Sequence, residues 1–228
     1  MVIELFDQYA SKYDAWFRGA QGSALFPAEL QAIQLLLNQF ISPHQRASFP
    51  CLEIGVGTGA FAEALGISFG IDPAFGALEL AKKRGIKTIQ ARGETLPFRR
   101  ETFGCVLLIT TLCFLENPIK VLKEAARVLK LDGRLILSDI EPNSPWGQFY
   151  LEKKKAGHLF YRHARFYSLN EIESMPQQVG LKVVGYSSAI TQLPNETPFA
   201  EGAFEGIAPN ASFVCLLSKR ATQSPITL

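Results

Sequence analysis

Short, unbroken apolar runs alternate along the first 140 residues with segments in which apolar positions return every three or four residues. The first rhythm suits strands buried on both faces, and the second suits amphipathic helices laid against them. The pattern predicts a helix over 25–40, with Leu30, Ile33, Leu37 and Phe40 on one face and Pro43 just beyond it. Strands are expected over 50–54, 67–72 and 86–90, with helices over 59–65 and 77–85, the second closed by Gly85. The run CVLLITTL, 105–112, reads as a central strand. Asn117 and Pro118 open the next helix as N-cap and first-turn proline. Val121, Leu122, Ala125, Val128 and Leu129 form its buried face, and after Gly133 comes a strand over 134–140. Such strand–helix alternation predicts an α/β, Rossmann-like doubly wound sheet with helices on both faces.

Beyond residue 140 the rhythm changes. A helix over 146–156 leads into the stretch HLFYRHARFYS. Ser168 and Glu171 have capping-box spacing and open a helix that Met175-Pro176 should kink or shorten before Gly180. Two strands, 181–188 and 211–219, flank a segment rich in Pro, Asn and Gly, and the terminal QSPITL is expected to fray. The expected organisation is one domain over 1–220: a helical cap over 1–45, an acceptor-side insertion over 141–180, and a flexible tail over 221–228.

The 228 residues are 47% hydrophobic and 19% charged, enough for one sizeable core. With 23 basic and 21 acidic residues the net charge is +2, which gives no electrostatic argument for nucleic acid or a membrane surface. Lys153-Lys154-Lys155 has no second basic cluster to support it and reads as a solvated helix face. The N-terminus lacks the apolar core of a signal peptide, and no apolar run reaches the ~18 residues of a membrane span. Cys51, Cys105, Cys113 and Cys215 lack CxxC spacing, and His44, His158 and His163 share no ligand spacing. The expectation is reduced thiols, no metal and a cytoplasmic protein.

The chemistry concentrates in LEIGVGTGAF, 52–61. Gly55, Gly57 and Ala60 satisfy the pattern of a dinucleotide-binding turn, and Asp72 ends the next strand. That leaves a nicotinamide-dependent oxidoreductase open. Against it, Glu53 stands two residues before the first glycine, Gly59 adds a third, and there is no second glycine fingerprint.

Six collinear segments resemble class I S-adenosylmethionine-dependent methyltransferases, in particular the UbiE-like, methyltransferase type 11 branch. Glu53–Gly59 resembles its motif I, Gly70–Pro73 the end of its second strand, and Gly93–Phe98 its AExLPF segment. Phe103–Leu115 resembles the fourth strand and following loop, and Glu124–Leu135 the E-x-x-R-V-L-K-P-G-G-x-L segment. Phe6-Asp7, Ala10, Tyr13-Asp14 and Trp16 resemble the N-terminal helix. The resemblance covers roughly residues 6 to 186. It implies a seven-stranded sheet ordered 3-2-1-4-5-7-6 with the seventh strand antiparallel, S-adenosylmethionine as cofactor and S-adenosylhomocysteine as product.

The implied cofactor site comprises Tyr13, Glu53, Gly55, Val56, Gly57, Thr58, Gly59, Asp72, Pro73, Ala74, Gly93, Glu94, Thr110 and Thr111. Glycines let the main chain come close, Glu53 would balance the α-ammonium, and Asp72 would accept from both ribose hydroxyls. Two positions depart from the family. Arg92 stands where an Asp commonly accepts from the adenine amine, and Gly104 where an Asp commonly opens strand four. The acceptor is expected to be a small molecule, anionic if Arg165 binds it. Tyr9, Trp16, Cys113, Arg165 and Tyr167 are candidate acceptor contacts, and His163 and Tyr161 candidate catalytic groups. A protein that binds the cofactor or its product without transferring the methyl group stands as the alternative.

Overall fold

The computed structural model describes residues 2–45 and 49–221; QSPITL lies outside them. Three helices precede the sheet: α1 (Val2–Gln8), α2 (Ala10–Trp16) and α3 (Ala20–Leu37). The alternating half follows as β1 (Cys51–Ile54), α4 (Ala60–Leu65), β2 (Phe69–Asp72), α5 (Phe75–Lys83) and β3 (Lys87–Gln90). It continues with β4 (Phe103–Ile109), α6 (Pro118–Val128) and β5 (Leu129–Ile140). The last part is α7 (Pro145–Lys155), α8 (Leu169–Gln177), β6 (Leu181–Ala189), β7 (Phe204–Glu205) and β8 (Phe213–Arg220).

The sheet order is β3-β2-β1-β4-β5-β8-β6-β7. Strands β1 to β5 pair in parallel, and β8 runs antiparallel between β5 and β6. The expected order is therefore recovered, with β8 as its reversed strand and the two-residue β7 added at the edge against β6. Alternate residues of the central strands feed two cores. Cys51, Cys105, Leu107 and Ile136 pack with α3, α4 and α7, while Leu52, Ile54, Val106, Leu108 and Leu137 pack with α6 and α8.

Three expected boundaries move. Helix α3 begins at Ala20 rather than 25 and carries Pro27 inside it, because its early turns are buried under the aromatic group Phe17, Phe26 and Phe61. Strand β4 stops at Ile109, where Thr110 turns the chain with φ 46°. Strand β5 starts five residues early, at Leu129, with a register break between its pairings to Phe103 and Cys105. The capping box of Ser168 and Glu171 forms as expected, and α8 ends one residue past Pro176. Arg220 from the last strand donates to the carbonyls of Ala126 and Leu129, closing the sheet over the end of α6.

Gly104, one of the two departures from the family pattern, has a steric cause. A Cβ there would lie 2.3 Å from the Phe49 ring. Gly104→Asp is accordingly expected to destabilise by about 1–3 kcal/mol through overpacking, measured by urea denaturation. Unchanged stability would mean that the ring is free to move away.

Candidate active site

The loops at the carboxyl ends of β1 to β5 converge on one end of the sheet. After β1, the amides of Gly55 and Val56 both donate to the carbonyl of Ile71, which folds the glycine loop over β2. The three glycines answer three constraints. Gly55 (φ +76°) leaves room for Thr111, whose Cγ2 would lie 2.4 Å from a Cβ. A Cβ on Gly59 would stand 2.9 Å from Ala81, so that glycine lets α4 and α5 pack together. A Cβ on Gly57 (φ +52°) would meet nothing within 4 Å; its backbone faces open space.

Asp72 organises that loop. Its Oδ2 accepts from the Gly57 amide at 3.0 Å and its Oδ1 from Ala74 at 2.8 Å. Burial pushes its carboxyl up to about 6, against the pull of those two amides. Glu53 is 2% exposed, and its Oε2 has no hydrogen-bond partner among the described residues. Burial, and then the neighbouring charge of Asp72, hold the Glu53 carboxyl well above the usual carboxylate range. A buried acidic oxygen with no donor is costly unless something outside the chain supplies one.

After β3, Arg92 is held by Glu94 at 3.4 Å and by Glu116 at 3.1 Å. The next segment is clamped from α6. Glu124 accepts from the Leu96 amide, and Arg127 donates to the carbonyls of Leu96 and Phe98 while bonding Glu124. Two segments that look separate in the sequence, GETLPF and E-x-x-R, are thus one mechanical unit. At the end of β4, Thr110 is a β-branched residue held at positive φ, a strained conformation of the kind that clusters at functional sites.

Helices α1 and α2 close over these loops. Phe6 packs against Tyr13, Phe114 and Phe160, with ring centroids 5.0–5.4 Å apart. Asp14 anchors α2 through Arg84, which also donates to the carbonyl of Thr58 at 2.7 Å and bonds Glu63. The cap and the glycine loop are therefore fastened to the same guanidinium.

Two cavities open under this cap, of about 160 and 240 Å³. Ten of the fourteen expected cofactor contacts line the first: Tyr13, Gly55, Gly57, Asp72, Pro73, Ala74, Gly93, Glu94, Thr110 and Thr111. Glu53, Val56, Thr58 and Gly59 do not line it, and Val56 packs where a Cβ on Gly70 would fall. Tyr13, Thr110 and Phe114 line both cavities.

Of the expected acceptor-side residues, Trp16, Cys113 and Tyr161 line the second cavity, whereas Tyr9, His163, Arg165 and Tyr167 do not. Tyr9 serves as the N-cap residue of α2. The side chain of Arg165 is 70% exposed, lies over the Tyr167 ring and faces Glu171. His163 is on the outer side too, its Nε2 accepting from Arg162. Sequence reasoning missed Glu29, Asp139, Tyr150 and His158, which do line this cavity. Glu29 carried a usable signal: it shares the four-residue ridge of Leu25, Ile33 and Leu37 on α3. His158 stacks on Tyr161 at 4.7 Å, and burial and the nearby lysines 153 and 12 lower its basicity. Asp139 accepts from the amides of Cys113 and Ile140, and burial pushes it up to about 7.

Against known proteins, the family model described as Methyltransferase domain matches residues 52–137. An uncharacterized protein of Mycobacterium tuberculosis is 35% identical over 95% of this chain and 74% of its own length. An uncharacterized protein of Methanocaldococcus jannaschii is 39% identical over 82% of this chain and 86% of its own. A crystal structure from Thermotoga maritima, described as an S-adenosylmethionine-dependent methyltransferase and possible histamine N-methyltransferase, superposes with a TM-score of 0.85. It is 30% identical, and the match covers 96% of this chain and 99% of that one.

Proposed function

The chain belongs to the class I S-adenosylmethionine-dependent methyltransferases, and on that premise we propose that it methylates a small molecule held in the second cavity. The observation that carries this reading is the shared wall of Tyr13, Thr110 and Phe114, where the cofactor-side loops and an acceptor-sized aromatic cavity meet. The family assignment removes the nicotinamide-dependent alternative.

The cofactor S-adenosylmethionine supplies an electrophilic methyl group on a sulfonium. The residues fit it. Glu53 does not line the cavity, and its unpartnered Oε2 suits an α-ammonium reached through water, while the open face of Gly57 admits a bulky ligand against the main chain. Asp72 keeps lone pairs for ribose hydroxyls beyond the two amides it already accepts, with Pro73 and Ala74 beside it. Arg92, paired to Glu94 and Glu116, shapes the adenine end with Gly93 rather than accepting from it. Val56, Thr58 and Gly59 hold the loop from behind. The cap over 1–45 excludes water, which suits a displacement governed by positioning and desolvation. The segment 141–180 supplies the acceptor-side wall, with the whole of 1–220 acting as one domain. Burial keeps Tyr161 protonated, so it can donate a hydrogen bond to an acceptor but is a poor base. Four buried thiols support a reducing compartment, the cytoplasm, and no helix among the described residues is long and apolar enough to cross a membrane.

A donor-depletion assay over phenols, thiols, carboxylates, amines and carbon acids tests the transfer. Depletion with one acceptor class is the expected result. Tight binding of S-adenosylhomocysteine with no depletion across all classes would favour a binding protein instead.

The carboxyls also set a pH dependence. Asp72 is raised from 3.8 to about 6, so in the ligand-free protein its extra stability is complete below about 3.8 and is lost as pH rises through about 6. The ligand works the other way: an α-ammonium beside Glu53 and ribose hydroxyls on Asp72 favour the ionised carboxylates. S-adenosylhomocysteine binding should therefore release protons near pH 6, and its affinity should fall by about tenfold from pH 7.5 to 5.5. Calorimetry in buffers of different protonation enthalpy measures both; proton uptake on binding would contradict this assignment.

A further inference from the structure

Resting on the methyltransferase reading above, we propose that the second cavity takes a primary or secondary amine, and that Glu29 is the group that selects it and receives its proton. Glu29 projects from α3 and is only 6% exposed, yet it lines the cavity. Among the described residues its carboxyl forms no hydrogen bond and no ion pair. Tyr13, Tyr150 and Tyr161 line the same cavity, and the charge of Glu29 helps to hold their hydroxyls protonated. Burial alone pushes Glu29 up to about 8.

A buried carboxylate without a counter-charge is expensive, and an ammonium offsets that cost directly. The walls add to the preference, because Trp16, Phe17, Phe61 and Phe166 offer electron-rich ring faces that attract a cation once it leaves water. Asp139 adds a second acidic group to the lining. Two lysines also line this cavity: Lys12 is exposed, and Lys153 is engaged 4.6 Å over the Phe149 ring. Beside them His158 is held towards its neutral form, and Cys113 and the tyrosines are held protonated. An anionic acceptor would meet the carboxyls of Glu29 and Asp139 there, and Arg165, the residue that would have bound it, does not line the cavity.

The chemistry balances. The ammonium gives one proton to the Glu29 carboxylate and becomes a neutral amine with a free lone pair. That pair forms the N–C bond, the S–C bond breaks, and its electron pair stays on sulfur as the neutral thioether. The positive charge ends on the methylated nitrogen, and Glu29 returns its proton to solvent when the product leaves.

Calorimetry on the protein saturated with S-adenosylhomocysteine provides the test, with benzylamine and phenethylamine set against benzyl alcohol, phenylethanol and phenylacetate. At least one amine should bind tenfold or more tightly than its alcohol, with phenylacetate weakest. Glu29→Gln should reduce that preference to within twofold while leaving S-adenosylhomocysteine affinity unchanged. Equal or tighter binding of the alcohols or phenylacetate by the unaltered protein would overturn the proposal, whether or not the variant folds. So would an undiminished amine preference in Glu29→Gln, or no amine binding at millimolar concentration. If S-adenosylhomocysteine itself does not bind, the underlying methyltransferase reading fails first.

Discussion

Asp72→Ala is expected to weaken S-adenosylhomocysteine binding by at least about 100-fold while leaving the protein folded. The carboxylate is the acceptor assigned to the ribose, and two charge-assisted hydrogen bonds at about 1.5–3 kcal/mol each give more than two decades of affinity. The same side chain positions the loop that must meet the ligand, because its Oδ2 fixes the Gly57 amide and its Oδ1 fixes Ala74. Stability should change far less. Removing a carboxyl that burial disfavours offsets the loss of those two amide bonds. Asp72→Asn retains one acceptor oxygen and should fall between the two. Calorimetric affinity together with a thermal melt reads both quantities. An alanine variant that binds within threefold of the unaltered protein would remove Asp72 from the cofactor site.

Trp146→Ala should carry the largest stability cost in the molecule, about 3–5 kcal/mol, with a fall in Tm of about 10 °C. Trp146 is among the largest fully buried side chains, at 1% exposure. It stands in the first turn of α7, edge-on to Phe149 at 5.4 Å, and its Nε1 donates to the carbonyl of Gln192 at 2.9 Å. Its amide donates to Ser212 before β8. The residue therefore pins α7, and with it Tyr150 and the neighbouring Tyr161, to the sheet. Truncation should loosen the acceptor wall and leave the cofactor side largely intact, since that side is built from β1 to β4. Trp146→Phe keeps most of the packing and should cost markedly less. A loss below about 1 kcal/mol for the alanine variant, by urea denaturation, would show that the segment is held elsewhere.

The cofactor side was readable early because its requirements are local. A strand, three glycines and an acidic residue at the end of the next strand all lie between Cys51 and Asp72, and each constraint acts on its neighbours in the chain. Even there, the reasons differed from expectation. Gly55 and Gly59 are glycines because of Thr111 and Ala81, and only Gly57 leaves its Cβ space open. The Glu124–Arg127 clamp could be seen as a motif, but its partners, the carbonyls of Leu96 and Phe98, are 31 and 29 residues away from Arg127.

The amino-acid sequence by itself determined the alternating architecture, and the resemblance carried by its motifs implied the strand order with its reversed strand, the cofactor class and the proposed cofactor contacts. The architecture follows from periodicity and turn chemistry and the resemblance from short motifs, all of which act over a few residues. Only the tertiary structure decided what lines the second cavity, the proposed acceptor site. Glu29, Tyr13, Cys113, Asp139, Tyr150 and His158 come from six separate parts of the chain. A glutamate on an amphipathic helix reads as a solvated charge until the burial of that helix is known. Conversely, FYRHARFYS looked like a site because aromatic and basic residues crowd there, yet Arg165 and His163 turn to solvent while Tyr161 and Phe166 turn inward. Side-chain direction in an irregular segment is set by what packs against it, and that information lies elsewhere in the chain.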